Sequence, residues 1–151
     1  LYTFMQEWLE KISYLKADAD ITVTAVQDMS KEAIIRYEPN LIPLVFMNLV
    51  NNAIIYNTSS RPQVEIIFSL EKNNLLLAFK DNGVGIPPSE QKKVFKKFYQ
   101  VKKSGKGSGI GLYLVQTVMK FHRGNVAVRE NTNKSGSTFT LSFPVVKKYG
   151  Q

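Results

Sequence analysis

The sequence contains no cysteine. Disulfide scaffolds, thiolate-held zinc or iron–sulfur centres and cysteine nucleophiles are therefore excluded. A single histidine, His122, cannot build a multi-histidine metal site. No apolar run approaches the ~18 residues that a membrane-spanning helix needs. Acidic residues are scarce as well: 12 Asp and Glu stand against 20 Lys and Arg, a net charge of +8. That sign is the usual first mark of a nucleic-acid or anionic-membrane partner. The chain opens at Leu1 without a signal-peptide pattern and reads as a piece of something longer.

The chain has 151 residues, of which 44% are apolar, enough for one domain with a real core. Phe4, Met5, Trp8, Leu9, Ile12 and Leu15 recur at helical spacing and predict an amphipathic helix over residues 2–16. Residues 21–26 read as a strand, with residues 33–37 as its hairpin partner after a turn around 28–30. Residues 40–56 read as a strongly apolar helix. Pro43 falls in or near its first turn, where a missing N–H costs least. Residues 64–70 and 75–80 read as strands joined by a polar turn, and residues 88–95 as a short helix. Residues 96–108, rich in Gly, Lys and Ser, resemble a mobile loop. Residues 109–121 read as a third long helix, and 126–130 with 138–143 as a closing hairpin. There are no repeats and no linker. The expectation is a single domain over 1–151, with helices on one face of a largely antiparallel sheet.

Four local patterns could carry chemistry. Asn48 and Asn52 lie four apart and share a helix face, with Tyr56 one turn on. Asparagine is a poor helix former, so a run of Asn48, Asn51 and Asn52 asks for a reason. Amide oxygens aimed at a hydrated Mg²⁺ would supply one, and a solvent-facing stripe would supply another. Asp81-Asn82-Gly83-Val84-Gly85-Ile86-Pro87 ends a strand. Its glycines let backbone approach a flat ligand and its aspartate can accept from an exocyclic amine, although Asp-Asn-Gly is also ordinary turn chemistry. Gly105-Lys106-Gly107-Ser108-Gly109-Ile110-Gly111 opens the third helix, whose bare N-terminus suits phosphate, or is a linker ending in a helix start. It is neither a P-loop nor a dinucleotide fingerprint. Phe95 and Phe98, three apart, read as two aromatics packing the base of the loop.

The order and spacing of these patterns say more than any one of them. Within about 65 residues they resemble the N, G1, F and G2 boxes of the ATP-binding catalytic domain of sensor histidine kinases, and residues 136–144 are similar to that family's last strand. The resemblance covers essentially the whole chain. It implies a two-layer α/β sandwich, a mixed and mostly antiparallel sheet covered on one face by three helices. This is the Bergerat-type fold shared with gyrase, chaperone and mismatch-repair ATPases. It implies ATP and Mg²⁺ as cofactors, with Asn52 as the Mg²⁺ ligand and Asn48 as a second catalytic-box residue near the triphosphate. Asp81 would read adenine, with room made by Gly83 and Gly85. Gly107, Gly109 and Gly111 would form the phosphate-side helix start, and Thr138 would join Asp81 around adenine through water. Tyr56, Ile86 and Leu112 complete the box residues expected near the nucleotide.

The reaction so implied is transfer of the γ-phosphoryl group to a histidine on a separate phosphoacceptor hairpin. The isolated chain would not phosphorylate itself, and His122 would be structural. A response-regulator receiver domain would be the next partner, and the whole protein would be a homodimer. The piece itself would sit in the cytoplasm without entering the membrane, although the whole protein could be a membrane-bound sensor.

The chain departs from the family in two places. Ile55 occupies a position that is often basic, so a phosphate contact of about 1.5–3 kcal/mol would be missing. Lys102, Lys103 and Lys106 in the loop would replace it, or are merely solvated. His122-Arg123-Gly124 stands where His-Gly-Gly is common. Related ATPases place a glutamate base at the position of Asn48, whose amide is no base, and this argues for a transferase. A degenerate nucleotide-binding signalling module is the alternative.

The charge can now be located. Seven lysines, Lys92, Lys93, Lys96, Lys97, Lys102, Lys103 and Lys106, lie between residues 92 and 106 with no acid among them. With these set aside, the +8 falls to +1. One cationic segment, not a basic protein, is what the sequence describes, and no nucleic-acid partner is expected.

Overall fold

A computed structural model describes residues 2–11, 19–26, 34–101, 107–133 and 135–147. In chain order the elements are α1 (Tyr2–Lys11), β1 (Asp20–Ala25), β2 (Ile34–Ile35), α2 (Ile42–Ile55), β3 (Gln63–Glu71) and β4 (Asn74–Asp81). A 3₁₀ turn (Lys93–Phe95), α3 (Gly111–Phe121), β5 (Asn125–Glu130) and β6 (Ser137–Lys147) follow.

The sheet follows from strict alternation. Val64, Ile66 and Phe68 on β3, Leu75, Leu77 and Phe79 on β4, and Phe139, Leu141 and Phe143 on β6 are all buried. Antiparallel register sets Ile66 beside Phe79, Phe79 beside Phe139, and Phe139 beside Val128. One face is therefore continuously apolar, and it must be covered. The helices cover it. α2 buries Ile42, Val45, Phe46, Leu49, Val50 and Ala53. That i, i+3, i+4, i+7 spacing makes one helical stripe. α3 adds Val115, Val118 and Met119, and α1 adds Met5 and Trp8. Phe46 is the hub, with ring centroids 5.4 Å from Trp8 and 5.7 Å from Phe79. The expected α/β sandwich, with a mixed six-stranded sheet and three helices, is the observed one.

Two expectations are corrected. Residues 33–37 were expected to pair with β1 in a hairpin. Instead β1 runs parallel to β3, from Asp20 beside Gln63 to Ala25 beside Phe68, and the two-residue β2 pairs with the far end of β6. Parallel neighbours need a long crossover, and the connection from β1 to β3 runs through α2. The expected turn at 28–30 lies outside the described residues, as does the continuation of α1 over 12–16. The helix expected over 88–95 is reduced to turns and the 3₁₀ stretch at Lys93–Phe95. Lys96 is extended with ψ 140°, and this ends the helical turns there.

His122 ties the layers together. The Glu38 N–H donates to its Nε2 at 2.8 Å, and its Nδ1 lies 2.7 Å from the Val118 carbonyl. These partners define the neutral tautomer protonated on Nδ1. The ring joins the segment entering α2 to the end of α3.

Candidate nucleotide site

The site is built around the end of β4. Asp81 is the last residue of that strand, and its Oδ1 accepts the N–H of Gly83 at 2.8 Å and of Ser137 at 3.2 Å. Oδ2 accepts no hydrogen bond among the described residues. Burial pushes the carboxyl above its ordinary value of 3.8, and the two N–H bonds partly oppose that rise. One oxygen thus anchors the group while the other is presented as an acceptor.

The turn after β4 rests on the end of α2. Val84 N–H donates to the Tyr56 carbonyl at 3.1 Å, and a Cβ at Gly83 would lie 2.6 Å from that oxygen. Asn82 braces the same turn from outside, its Oδ1 accepting from Asn57 Nδ2 at 2.7 Å and from the Gln63 N–H at 2.8 Å. On the other flank Gly136 has φ +80°, and a Cβ there would lie 2.0 Å from the Asp81 carbonyl oxygen. Only glycine lets the β5–β6 turn lie on the end of β4.

Thr138 was expected to join Asp81 around adenine through water. Its hydroxyl donates to Asn131 Oδ1 at 2.6 Å. The residue next to Asp81 is Ser137. Its hydroxyl is buried and has no hydrogen-bond partner among the described residues. Strand parity explains the difference and could have revealed it. Phe139, Leu141 and Phe143 face the helices, so Ser137 shares their side and Thr138 does not.

The two asparagines of α2 differ. Asn48 Nδ2 donates to the Leu44 carbonyl at 2.7 Å, and its Oδ1 lies against Gly111, where a Cβ would be 2.5 Å away. Asn48 therefore sets the spacing between α2 and the start of α3. Asn52, one turn on, makes no side-chain hydrogen bond among the described residues. α3 starts at Gly111 with no side-chain cap hydrogen bond from Ile110, so among the described residues its first N–H groups are left without a capping side chain. Gly107 approaches the Tyr56 hydroxyl, to which a Cβ would stand 3.1 Å. Ile86 and Leu112 are half-buried and pack against the core beside the site.

The loop base is closed by several contacts. Phe98 N–H donates to the Gly109 carbonyl at 2.8 Å, and Gln100 Nε2 to the Gly107 carbonyl at 2.6 Å. The Tyr99 hydroxyl donates to Glu90, and Lys93 joins the same carboxylate at 3.1 Å. Together they hold the Glu90 carboxyl below its usual range. Of the two phenylalanines expected to pack this base, only Phe95 does. It is buried, edge-on to Phe139 at 6.4 Å. Phe98 is 65% exposed, with its backbone at φ +65° and the Lys97 ammonium 5.0 Å from its ring centroid. Lys102, Lys103 and Lys106 lie outside the described residues.

The residues present fit a purine nucleotide. Among the described residues an Asp81 oxygen and the buried Ser137 hydroxyl lack partners, Gly83 and Gly136 lie against the carboxylate, and Gly107, ahead of α3, approaches the Tyr56 hydroxyl. Fold and site together define a nucleotide-binding domain of the two-layer α/β type. Residues 38–147 match the family model described as histidine kinase-, DNA gyrase B- and HSP90-like ATPase, and the chain belongs to that family. Proteins similar to this chain include histidine kinases. The histidine-protein kinase ArlS of Staphylococcus aureus is 28% identical over 130 residues, which are 83% of this chain and 27% of that protein. The chain thus spans about a quarter of the curated relatives it matches. The mycobacterial sensor histidine kinase MprB superposes with a TM-score of 0.77 at 22% identity, over 95% of this chain and 93% of that one. The catalytic domain of histidine kinase ThkA gives 0.78 at 20%, over 95% and 91%. Full-length ShkA, solved in complex with AMPPNP, gives 0.78 at 18%, over 95% of this chain and 30% of that one. No helix among the described residues is long and apolar enough to cross a membrane.

Proposed function

We propose that this chain binds Mg-ATP and donates its γ-phosphoryl group to a histidine on a separate phosphoacceptor hairpin of the same kinase. A response-regulator receiver domain then takes the phosphoryl group, and the whole protein works as a homodimer at the cytoplasmic side of the cell. The observation that carries the reading is the arrangement at Asp81. Its Oδ1 is anchored, and its Oδ2 and the neighbouring Ser137 hydroxyl have no partner among the described residues, on a glycine turn that leaves room for a flat base. An exocyclic amine on adenine answers the carboxylate, and the Ser137 hydroxyl gains a partner directly or through water.

Asn52 is the residue suited to Mg²⁺, which takes oxygen ligands sparingly and shares them with substrate phosphates. When bound, the ion would neutralise charge on the phosphates. The protein's own part is positioning, which phosphoryl transfer mainly requires. Asn48 keeps α3 at its distance from α2, and the uncapped start of α3 offers N–H groups to phosphate oxygens. Asn48 is a neutral amide already bonded to Leu44, so it does not activate water, and hydrolysis is the disfavoured fate. His122 is not the acceptor, because both of its nitrogens are engaged.

The test is to incubate the chain with γ-labelled ATP, with and without the phosphoacceptor hairpin. Label is expected on the hairpin histidine and absent from the chain alone. Nucleotide binding without any transfer would favour the non-catalytic signalling module. Label on the chain itself, lost in His122→Ala, would overturn the assignment of the acceptor.

A further inference from the structure

We infer that Asn131 is a positioning residue for nucleobase recognition, acting through Asp81. The inference rests on the reading of Asp81 given above. Asn131 is 9% exposed and stands just after β5. Its Nδ2 donates two hydrogen bonds, to the Asp81 carbonyl at 2.8 Å and to the Ser135 carbonyl at 2.7 Å. Its Oδ1 accepts from the Thr138 hydroxyl at 2.6 Å, and its backbone N–H donates to the Gly136 carbonyl at 3.1 Å. Two carbonyls on one side and a hydroxyl donor on the other admit a single amide orientation.

The need for such a residue lies in the sheet. β4 pairs with β6 from Asn74 beside Pro144 to Lys80 beside Thr138, and there the ladder stops. Asp81 still pairs with Val64 of β3, but its carbonyl on the β6 side has no ladder partner. Asn131 supplies that partner from its side chain. The same carboxamide fastens the β5–β6 turn through Ser135, and the backbone N–H of Asn131 holds it at Gly136. The turn in turn delivers the Ser137 N–H to Asp81 Oδ1. One buried carboxamide therefore sets the main chain of Asp81 and the donor that orients its carboxylate. Thr138 acts behind Asn131 by fixing the amide, one step removed from the base.

The test separates positioning from stability by ligand discrimination. Affinities of this chain are measured for ATP and for purine riboside triphosphate, which lacks the 6-amino group. The wild-type chain is expected to prefer ATP by about 10-fold or more. Asn131→Ala is expected to reduce that preference to within about 3-fold, chiefly by weakening ATP. Thr138→Val, which keeps shape and loses the hydroxyl, reduces the preference in part, and Thr138→Ser retains it. A variant that binds both nucleotides more weakly but keeps the full preference overturns the inference, since that is what lost stability alone would do. Equal affinities in the wild-type chain would instead overturn the reading of Asp81 itself, and this inference with it. If Asn131→Ala fails to fold, the Thr138 pair decides the matter, and an unchanged preference in Thr138→Val counts against the inference.

Discussion

Gly136→Ala and Gly85→Ala make a matched pair, because both glycines have positive φ, +80° and +77°. An alanine costs about 1–2 kcal/mol in that backbone region at either site. The surroundings differ. At Gly85 the nearest atom to a new Cβ is the Gly136 carbonyl oxygen at 3.3 Å, and a small shift absorbs it. At Gly136 the Cβ would lie 2.0 Å from the Asp81 carbonyl oxygen and 2.7 Å from Oδ1. Backbone must then separate, and three hydrogen bonds are loosened: Ser137 N–H to Asp81 Oδ1, Asn131 Nδ2 to the Asp81 carbonyl, and Asn131 N–H to the Gly136 carbonyl. At about 0.5–1.5 kcal/mol each, the loss at Gly136 totals about 3–6 kcal/mol against about 1–2 at Gly85. Urea unfolding followed by fluorescence of the single tryptophan, buried Trp8, reads the difference. With a urea slope of about 1–3 kcal/mol/M, the midpoints should separate by about 0.5 M or more. Midpoints that coincide would refute the claim that the β5–β6 turn is locked onto the end of β4.

Further expectations follow from other sites. The Asp81 carboxyl has a folded pKa raised by burial, so its contribution to stability is fully present below about 3.8 and is lost as pH rises through the folded value. Asp81→Asn keeps an acceptor for Gly83 and Ser137 without the charge. Its melting temperature relative to wild type should therefore climb as pH rises from about 4, and a flat difference across that range would contradict it. Trp8→Ala removes the ring packed edge-on to Phe46 and should cost about 3–5 kcal/mol in chemical unfolding; a loss under 1 kcal/mol would mean that α1 is not part of the core. Arg123 has φ +55°, so Arg123→Gly should raise stability by about 0.5–1 kcal/mol without changing nucleotide affinity, measured by melting and titration.

What was legible in the sequence was what repeats or stands alone. The alternation of β3, β4 and β6 and the stripe on α2 can be read directly, because burial imposes those periods. Asp81 and its glycines were legible because few residue types suit a strand end that must present a carboxylate at a tight turn. Pairing between distant segments was not legible. Nothing in residues 20–25 says that their partner is β3, since a parallel neighbour is set by the crossover through α2. Ser137 was not singled out, although parity with Phe139 would have placed it beside Asp81. Asn131 carries no pattern at all. Its role exists only because the ladder between β4 and β6 stops one residue before Asp81, and a polar residue after a strand is otherwise common turn chemistry. Phe98 was misplaced because its positive φ turns the side chain outward, a backbone choice that residue spacing does not announce.

The central claim is that adenine is read by the Asp81 carboxylate. Calorimetric titration of Mg-ATP into the wild-type chain and into Asp81→Asn tests it most directly. The substitution replaces an acceptor for the exocyclic amine with a donor. Losing a charge-assisted hydrogen bond of about 1.5–3 kcal/mol weakens binding by about 10-fold to 100-fold. Saturable heat in the wild-type chain, and affinity at least 10-fold weaker in a folded Asp81→Asn, is the predicted result. No heat in the wild-type chain, or equal affinity in both, would contradict the account.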